Sequence, residues 1–320
     1  LELNAYFTHC NLQPSHLMLA LKTAMAAAFK AKNYINATSY RLQPILTLGA
    51  VLCAMGTLAG RKYTTPSGWR SNLYVVGLAA SGAGKDHARR MIDDLFMNHL
   101  DLGNRLGGDK IASGSGLLSA INRSPSILFQ IDEFGAVLRG IANQERAPAH
   151  LAEVLFYLTQ MFTSSGGIFK GIEYANQKER PRVILHEPCV SLYGTTVQSH
   201  FWKALENNNA EDGSIARFLI LDTDKNYPPH RSPIPLDPSP DLVDLLKRIA
   251  EPPVGFLQLH ASIPLDKDSL KKVPFDREAA AMEKAFKVDT DVQLDRYQDT
   301  QFSSFWARRI ELINKVAMIH

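Results

Sequence analysis

The pattern of apolar and polar positions predicts helices first and buried strands afterwards. Residues 14–36 and 43–60 are rich in Ala and Leu, which predicts two helices, and a turn at residues 66–68 between "RKYTT" and "NLYVVGL" predicts a hairpin. Three later apolar runs, "SILFQIDEFG", "CVSLYGTT" and "ARFLILDTD", are typical of strands buried on both faces at the centre of a parallel sheet. Four such strands with helices between them predict an α/β fold with a doubly wound sheet.

The stretch "AASGAGK" predicts a phosphate-binding loop between a buried strand and a helix. It has an Ala, four variable residues and then Gly-Lys, so that successive backbone N–H groups and the next helix N-terminus surround a β-phosphate while the lysine reaches the β and γ oxygens. A glycine-rich turn with a solvated lysine is the alternative. The residues expected around the phosphates of ATP are Ala79, Ser81, Gly82, Ala83, Gly84, Lys85, Asp86 and His87.

Acidic residues near this loop predict a Mg²⁺ site. Asp86 stands where such loops usually carry Ser or Thr, so it is either an N-terminal helix carboxylate or, as we favour, an oxygen that holds Mg²⁺ directly or through water. Asp132 and Glu133 follow the strand of "SILFQIDEFG". Asp132 would bind Mg²⁺ through water, and Glu133 would polarise an attacking water. An exposed acidic turn is the alternative.

Further polar residues are candidates for contact with the γ-phosphate. Thr195 or Thr196 ends the third strand and would contact that phosphate or hold the attacking water, unless it caps the following helix. Arg217 would begin the fourth strand, where it either forms a surface ion pair or reaches the nucleotide of a neighbouring subunit. Arg308, or its neighbour Arg309, would sense nucleotide from the last helix or lie on a solvated face.

Five short motifs carry a family resemblance: "ASGAGKD", "FQIDEFG", "LYGTT", "DGSIARFLI" and "ARRIELINKVA". Over roughly residues 40–320 they resemble the P-loop ATPase domain of prophage- and plasmid-encoded replication proteins, a family long catalogued as a domain of unknown function that often accompanies primase modules. In motif order it is similar to superfamily 3 helicases and other AAA+ proteins. The resemblance implies an AAA+-like P-loop NTPase fold and an ATP- and Mg²⁺-dependent, ring-forming replicative DNA helicase of a mobile element.

The same resemblance implies partners and a nucleic-acid interface. The partners would be single-stranded or forked DNA, other copies of the chain in a hexameric ring, and a primase module or another replication protein, with no membrane. A hairpin in "TSSGGIFKGIEYANQKERPR" would point into the ring's channel and hold DNA with Phe169, Lys170 and Lys178, unless it is an ordinary solvated hairpin. Two alternatives remain: an ATPase that loads or remodels a replication or defence protein without unwinding, and a nucleotide-binding interaction module without turnover.

These features divide the chain into segments. The segments are an N-terminal helical part packed on the core (1–60), a P-loop ATPase core (61–225), a proline-rich linker (226–240) and a truncated C-terminal helical lid (241–320). The expectation of truncation rests on a chain that starts at Leu1 and stops within a predicted helix.

Composition adds limits to this picture. The 320 residues are 45% hydrophobic and 21% charged, as in a soluble globular protein, and a net charge of +3 does not select a polyanionic partner. Cys10, Cys53 and Cys189 are isolated, which argues against a zinc site or disulfides and for a cytoplasmic location. The apolar run Pro44–Gly60 is just short of the roughly 18 to 20 residues of a membrane span, so we expect a buried core helix.

Overall fold

The computed structural model describes most of the chain, namely residues 16–135, 137–138, 149–173, 175–176, 178–179, 181–205, 213–233, 235–251, 263–264, 270–298, 300 and 303–319. The α-helices in these ranges are α1 (His16–Ala37), α2 (Pro44–Ala59), α3 (Asp86–Asp94), α4 (Gly114–Arg123), α5 (Ala149–Ser164), α6 (Gln198–Leu205), α7 (Pro240–Ala250), α8 (Arg277–Tyr297) and α9 (Ser303–Ile319). The strands are β1 (Tyr63–Thr64), β2 (Tyr74–Leu78), β3 (Ser126–Ile131), β4 (Ile168–Phe169), β5 (Leu185–His186), β6 (Cys189–Thr196), β7 (Phe218–Asp222) and β8 (Lys271–Lys272).

Four parallel strands form the central sheet in the order β3, β6, β2, β7. Tyr74 of β2 lies opposite Leu192 of β6 on one side and opposite Phe218 of β7 on the other. Strand β3 extends the sheet beyond β6. These are the four strands that the apolar runs predict. Because all four run in the same direction, their carboxyl ends meet at one edge of the sheet, which is where ligands bind in open parallel sheets.

The predicted hairpin between β1 and β2 is wrong. Strand β1 instead pairs in parallel with β8, with Tyr63 opposite Lys271. The reason is that β6 and β7 already occupy both edges of β2, so β1 has no edge to pair with there. The turn itself forms, since the Gly68 N–H donates to the Thr65 carbonyl at 3.0 Å.

Side chains of β2 alternate between two hydrophobic clusters on opposite faces of the sheet, as the two-residue period of a strand requires. Tyr74 and Val76 belong to the cluster that α4 and α5 cover. Val75 belongs to the cluster that α1, α2, α3 and α7 cover. Ile35 of α1 is completely buried in this second cluster. The N-terminal helix is therefore part of the same hydrophobic core as the sheet.

Helix α2 lies directly against the sheet. A Cβ atom at Gly49 would lie 2.9 Å from side-chain atoms of Val75 and Leu221, and one at Gly56 would lie 2.3 Å from the Ser71 carbonyl oxygen. The two glycines therefore allow a closer approach than any other residue would. The segment Pro44–Lys62 is long and apolar enough to cross a membrane, but 78% of it is buried inside the protein, which is the environment of the expected core helix.

Two buried cations, Lys62 and Arg105, donate hydrogen bonds to carbonyl oxygens at the carboxyl end of α7. The ammonium group of Lys62 is 1% exposed and donates to the carbonyl oxygens of Ile249 and Glu251 at the end of α7. Arg105 donates to the Ala250 carbonyl at 3.1 Å. Burial lowers the pKa of Lys62 to about 7, and the charge of Arg105 lowers it further while Glu251 opposes the shift. Burial thus disfavours the charged form of Lys62, because the buried ammonium group loses its hydration.

We expect Gly56→Ala to destabilise the protein by about 1–3 kcal/mol, the usual cost of overpacking a core. The added methyl group meets a backbone oxygen, which cannot rotate away as a side chain can. Urea unfolding measures the change. Gly103→Ala is the control, because its Cβ would make an ordinary 3.6 Å contact with Met97. Equal stability of the two variants would contradict the close packing of α2.

We also expect a pH dependence that comes from Lys62. An unfolded lysine has a pKa of about 10.4, so between roughly pH 7 and pH 10 the unfolded chain binds more protons than the folded chain. The free energy of unfolding should therefore rise with pH in this window, and Lys62→Met should flatten the rise. Urea titrations across the window compare the parent, Lys62→Met and the exposed control Lys110→Met. A slope that Lys62→Met leaves unchanged is the contrary outcome.

Candidate phosphate-binding site

The carboxyl edge of the sheet collects most of the candidate residues. The glycine loop, residues 79–85, follows β2, and Asp132 and Glu133 follow β3. Thr195 and Thr196 are the last residues of β6, and both are completely buried. The segment that follows β7 also reaches this edge, because the Thr223 N–H donates to the Leu78 carbonyl at 3.1 Å.

The loop has a backbone conformation that requires its glycines. Gly82 and Gly84 have φ angles of 75° and 88°, in the left-handed region that side chains disfavour. The loop starts from the sheet with a 3.0 Å hydrogen bond from the Ala79 N–H to the Thr196 carbonyl, and α3 starts directly after it at Asp86. A Cβ at Gly84 would lie 3.1 Å from Cβ of Arg41, so the helix connection packs closely against the loop.

Lys85 forms an ion pair with a carboxylate at this edge. Its side chain is 10% exposed, and its Nζ atom lies 3.2 Å from Oε1 of Glu133, whose side chain is 58% exposed. Glu133 has a φ angle of 51°, an uncommon conformation for a residue with a side chain. Lys85, which is expected to bind phosphate, therefore faces an anionic group at this edge.

Asp132 is held in its charged form. Its Oδ1 atom accepts hydrogen bonds from Thr195 Oγ1 at 3.0 Å and from the Glu133 N–H at 2.9 Å. Partial burial would raise the pKa of Asp132, but these hydrogen bonds and the charges of Arg89 and Lys85 outweigh burial, and the pKa is lowered. Thr195 thus positions Asp132, a contact that its place at the end of β6 did not suggest.

Asp86 and Asp132 are brought together through one arginine. Nη2 of Arg89 lies 3.6 Å from Oδ1 of Asp86 and 3.6 Å from Oδ2 of Asp132. Oδ1 of Asp86 is buried and accepts no hydrogen bond, and the buried Thr196 Oγ1 likewise has no hydrogen-bond partner among the described residues. Within the described residues no cluster of three or more metal-ligating side chains exists. A Mg²⁺ ion here would need oxygen atoms from a ligand or from water as well.

Two further predicted nucleotide-binding residues, His87 and Arg308, form contacts with other residues of the protein. The His87 ring contacts Thr38 Oγ1 at 3.0 Å and the Ile35 carbonyl at 3.1 Å. Burial lowers the pKa of His87, although the hydrogen bond to Ile35 opposes the shift. Arg308 pairs with Glu311 of its own helix at 3.0 Å.

Arg217 lies at the amino ends of the parallel strands, opposite to the carboxyl ends where the glycine loop lies. The predicted strand begins one residue later, at Phe218, because Ile215–Arg217 form a 3-10 turn. Arg217 precedes β7, whereas the loop follows its parallel neighbour β2, so the two lie at opposite ends of the strands. Its guanidinium donates to the Gly213 carbonyl at 2.5 Å.

A short antiparallel pair, β4 with β5, lies between α5 and β6, and its second strand lies beyond the segment of the predicted DNA-binding hairpin, residues 163–182. Ile168 pairs with His186 in the antiparallel pair of β4 and β5. Phe169 is partly buried with its ring edge against Tyr157, at a centroid distance of 6.0 Å. Lys170 and Lys178 are exposed. Phe169 therefore serves the core, while the two lysines are solvated.

Three residues that no sequence pattern indicated contact the glycine loop. Oδ1 of Asn226 accepts from the Ala80 N–H at 2.8 Å, and the Tyr227 hydroxyl donates to the Ser81 carbonyl at 3.1 Å. Gln43 Nε2 donates to the Ala83 carbonyl at 3.0 Å. Asn226 and Tyr227 lie in the predicted linker and Gln43 is the first residue of a predicted helix, so no local pattern indicated these contacts.

Comparison with known proteins gives similarity at the N-terminus. The family model for the C-terminus of the coatomer (COPI) alpha subunit matches residues 1–50. Coatomer subunit alpha of Dictyostelium discoideum and coatomer subunit alpha-1 of Arabidopsis thaliana are each 59% identical to the chain over 39 residues. That stretch is 12% of this chain and 3% of either relative, so the chain spans a small part of their length. No solved structure matches the chain.

These matches contradict the family drawn from the motifs. They are coatomer subunits, so the predicted relation to phage and plasmid replication proteins is wrong. ATP hydrolysis, DNA unwinding, the DNA partner, the hexameric ring, the replication partner and the absence of a membrane partner were predicted with that family and are corrected with it. The resemblance rested on motifs of a few residues each, whereas the coatomer match runs over 39 residues. The expected cytoplasmic location agrees with similarity to a coatomer protein.

Proposed function

We propose that this chain is a coat-type protein whose α/β domain binds ATP with Mg²⁺ as a cofactor. The observation that carries the cofactor proposal is the position of Lys85. Lys85 is the last residue of a loop in which two glycines have positive φ angles, and the loop lies at the carboxyl edge of a parallel sheet. Its Nζ atom lies 3.2 Å from Oε1 of Glu133. A phosphate group would offer Lys85 a more highly charged partner than the exposed carboxylate of Glu133.

A P-loop NTPase fold is part of this proposal. Strand β2 lies inside the sheet with parallel neighbours on both sides, and the glycine loop joins it to α3. Such a junction turns backbone N–H groups and the positive end of a helix toward the same point. The N-terminus of α3 begins at Asp86 and supplies that end. These features support binding of the phosphates by the loop.

The same residues support a place for Mg²⁺. Asp86 and Asp132 both lie 3.6 Å from Arg89, whose positive charge offsets part of their negative charge. The lowered pKa of Asp132 keeps it ionised and able to ligate a cation or its water. Because the described residues hold no larger metal-ligating cluster, we propose that phosphate oxygens and water complete the shell, and that Mg²⁺ binds with ATP rather than alone.

Lys85→Ala should weaken Mg·ATP binding by about 10- to 100-fold, since it removes a charge-assisted contact with phosphate. Isothermal titration calorimetry measures the dissociation constant. Lys110→Ala is the matched control, because Lys110 is an exposed lysine in a loop. Binding by Lys85→Ala equal to that of the control, or no binding by the parent, would reject the cofactor proposal.

We further propose that the N-terminal segment joins the chain to coatomer subunits at a membrane-associated coat. The observation that favours this is the 59% identity to a coatomer subunit over 39 residues. Helix α1 lies within the matched residues 1–50 and exposes 53% of Phe29. Its opposite side, with Ala27, Ala31 and Ile35, is buried in the core. An exposed aromatic side chain is available for contact with another protein of the coat.

Phe29→Ala should weaken association of the full chain with purified coatomer subunits by roughly tenfold, as loss of an aromatic anchor commonly does. Sedimentation of the fluorescently labelled chain with increasing coatomer measures this. Met97→Ala is the control, because Met97 is 61% exposed but lies outside the matched residues. If both variants bind like the parent, Phe29 is not a contact, and if the parent does not bind, the coat assignment fails.

A further inference from the structure

One side chain connects the glycine loop to two other parts of the sheet edge. Oδ1 of Asn226 accepts hydrogen bonds from the Ala80 N–H at 2.8 Å, from Gln198 Nε2 at 3.0 Å and from Thr223 Oγ1 at 3.1 Å. A backbone N–H can only donate, so the atom that faces Ala80 must be the amide oxygen of Asn226. Asn226 thereby joins the loop to the start of α6 and to the end of β7.

Neighbouring donors hold two carbonyl oxygens of the same loop. The Tyr227 hydroxyl donates to the Ser81 carbonyl at 3.1 Å. Gln43 Nε2 donates to the Ala83 carbonyl at 3.0 Å and to the carbonyl of Asn226 at 3.2 Å. We call Gln43, Asn226 and Tyr227 the loop clamp. The clamp contacts every second peptide group of the loop, through the N–H of Ala80 and the carbonyl oxygens of Ser81 and Ala83. Gln43 also donates to the Asn226 carbonyl, which links two members of the clamp.

The clamp fixes where the next N–H groups point. The chain has no cis peptide bond among the described residues, and in a trans peptide the C=O and the following N–H point in opposite directions. Donors on the carbonyls of Ser81 and Ala83 therefore direct the N–H groups of Gly82 and Gly84 away from the clamp. Glycines are the residues whose backbone would otherwise be freest to rotate.

We propose that Asn226 is a positioning residue for phosphate binding, because it fixes the peptide group of Ala80 at the start of the loop, while Tyr227 and Gln43 fix the peptide groups that carry the N–H groups of Gly82 and Gly84. Asn226 acts through the loop backbone and contacts no phosphate itself. The loop is then ordered before the ligand arrives, which removes an entropic cost from binding. This inference rests on the proposed binding of ATP, and it names the contacts that make that binding tight.

The test combines affinity with hydrogen exchange of the loop amides in the full chain. Asn226→Ala should weaken Mg·ATP binding about tenfold, as loss of a buried hydrogen bond commonly does, and should speed exchange in residues 79–85 without ligand. Asn226→Asp keeps an acceptor oxygen and should keep exchange slow. Tyr227→Phe removes one hydroxyl from a half-exposed side chain and should weaken binding less. Asn98→Ala, at an exposed helix position, is the control.

The binding and exchange results decide between positioning by the clamp and its absence. Positioning by the clamp is supported if amide exchange is fast in Asn226→Ala and slow in Asn226→Asp. It also requires that Asn226→Ala and Tyr227→Phe bind Mg·ATP more weakly than the parent. Parental binding by both of these variants overturns it, as does parental exchange in Asn226→Ala. If Asn226→Ala does not fold, Tyr227→Phe decides: weaker Mg·ATP binding than that of the parent supports the clamp, and parental binding overturns it. If the parent binds no ATP, the proposed cofactor is wrong, while the exchange measurements still show whether Asn226 orders the loop.

Discussion

The pairing of β2 with parallel strands on both sides is the constraint on which the rest of this structure depends. It makes β2 an interior strand, so its residues Tyr74 to Leu78 are buried on both faces. It excludes β1 from the sheet, which is why the predicted hairpin does not form. It also brings the ends of β2, β3, β6 and β7 to one edge, where the glycine loop, Asp132 and Thr195 meet. A candidate site follows from the direction of the strands alone.

Helix α2 is the second consequence of this arrangement. A sheet buried on both faces needs an apolar layer in close contact, and Gly49 and Gly56 let α2 approach to the distance of backbone contact. Lys62 and Arg105 lie buried near the ends of helices in this layer, at 1% and 7% exposure. Lys62 and Arg105 satisfy the last carbonyl groups of α7 there, and the lowered pKa of Lys62 reports the burial of its charge. Close packing and buried cations are thus linked.

Residues 16–50, the described part of the segment with coatomer similarity, pack against the α/β domain. Helix α1 and the start of α2 lie within residues 1–50, and α1 places Ile35 in the same hydrophobic cluster as Val75 of the sheet. His87, next to the phosphate loop, contacts the Ile35 carbonyl and Thr38 at the end of α1. A ligand at the loop and a partner at α1 would therefore act on one packed unit rather than on two independent parts. This contact joins the two proposals of cofactor binding and coat assembly.

The sequence by itself determined the four buried strands, the core helix α2, the glycine loop and the acidic pair at Asp132, because these features depend on local composition and on residues close together in the chain. Short motifs did not determine the family, since a few residues recur in unrelated proteins while the match over 39 residues points to coatomer. Only the tertiary structure decided that Thr195 holds Asp132, that Lys85 faces Glu133, and that Asn226 accepts from Ala80. Asn226 and Ala80 stand 146 positions apart, and no local pattern encodes a hydrogen bond that exists only after β7 pairs with β2.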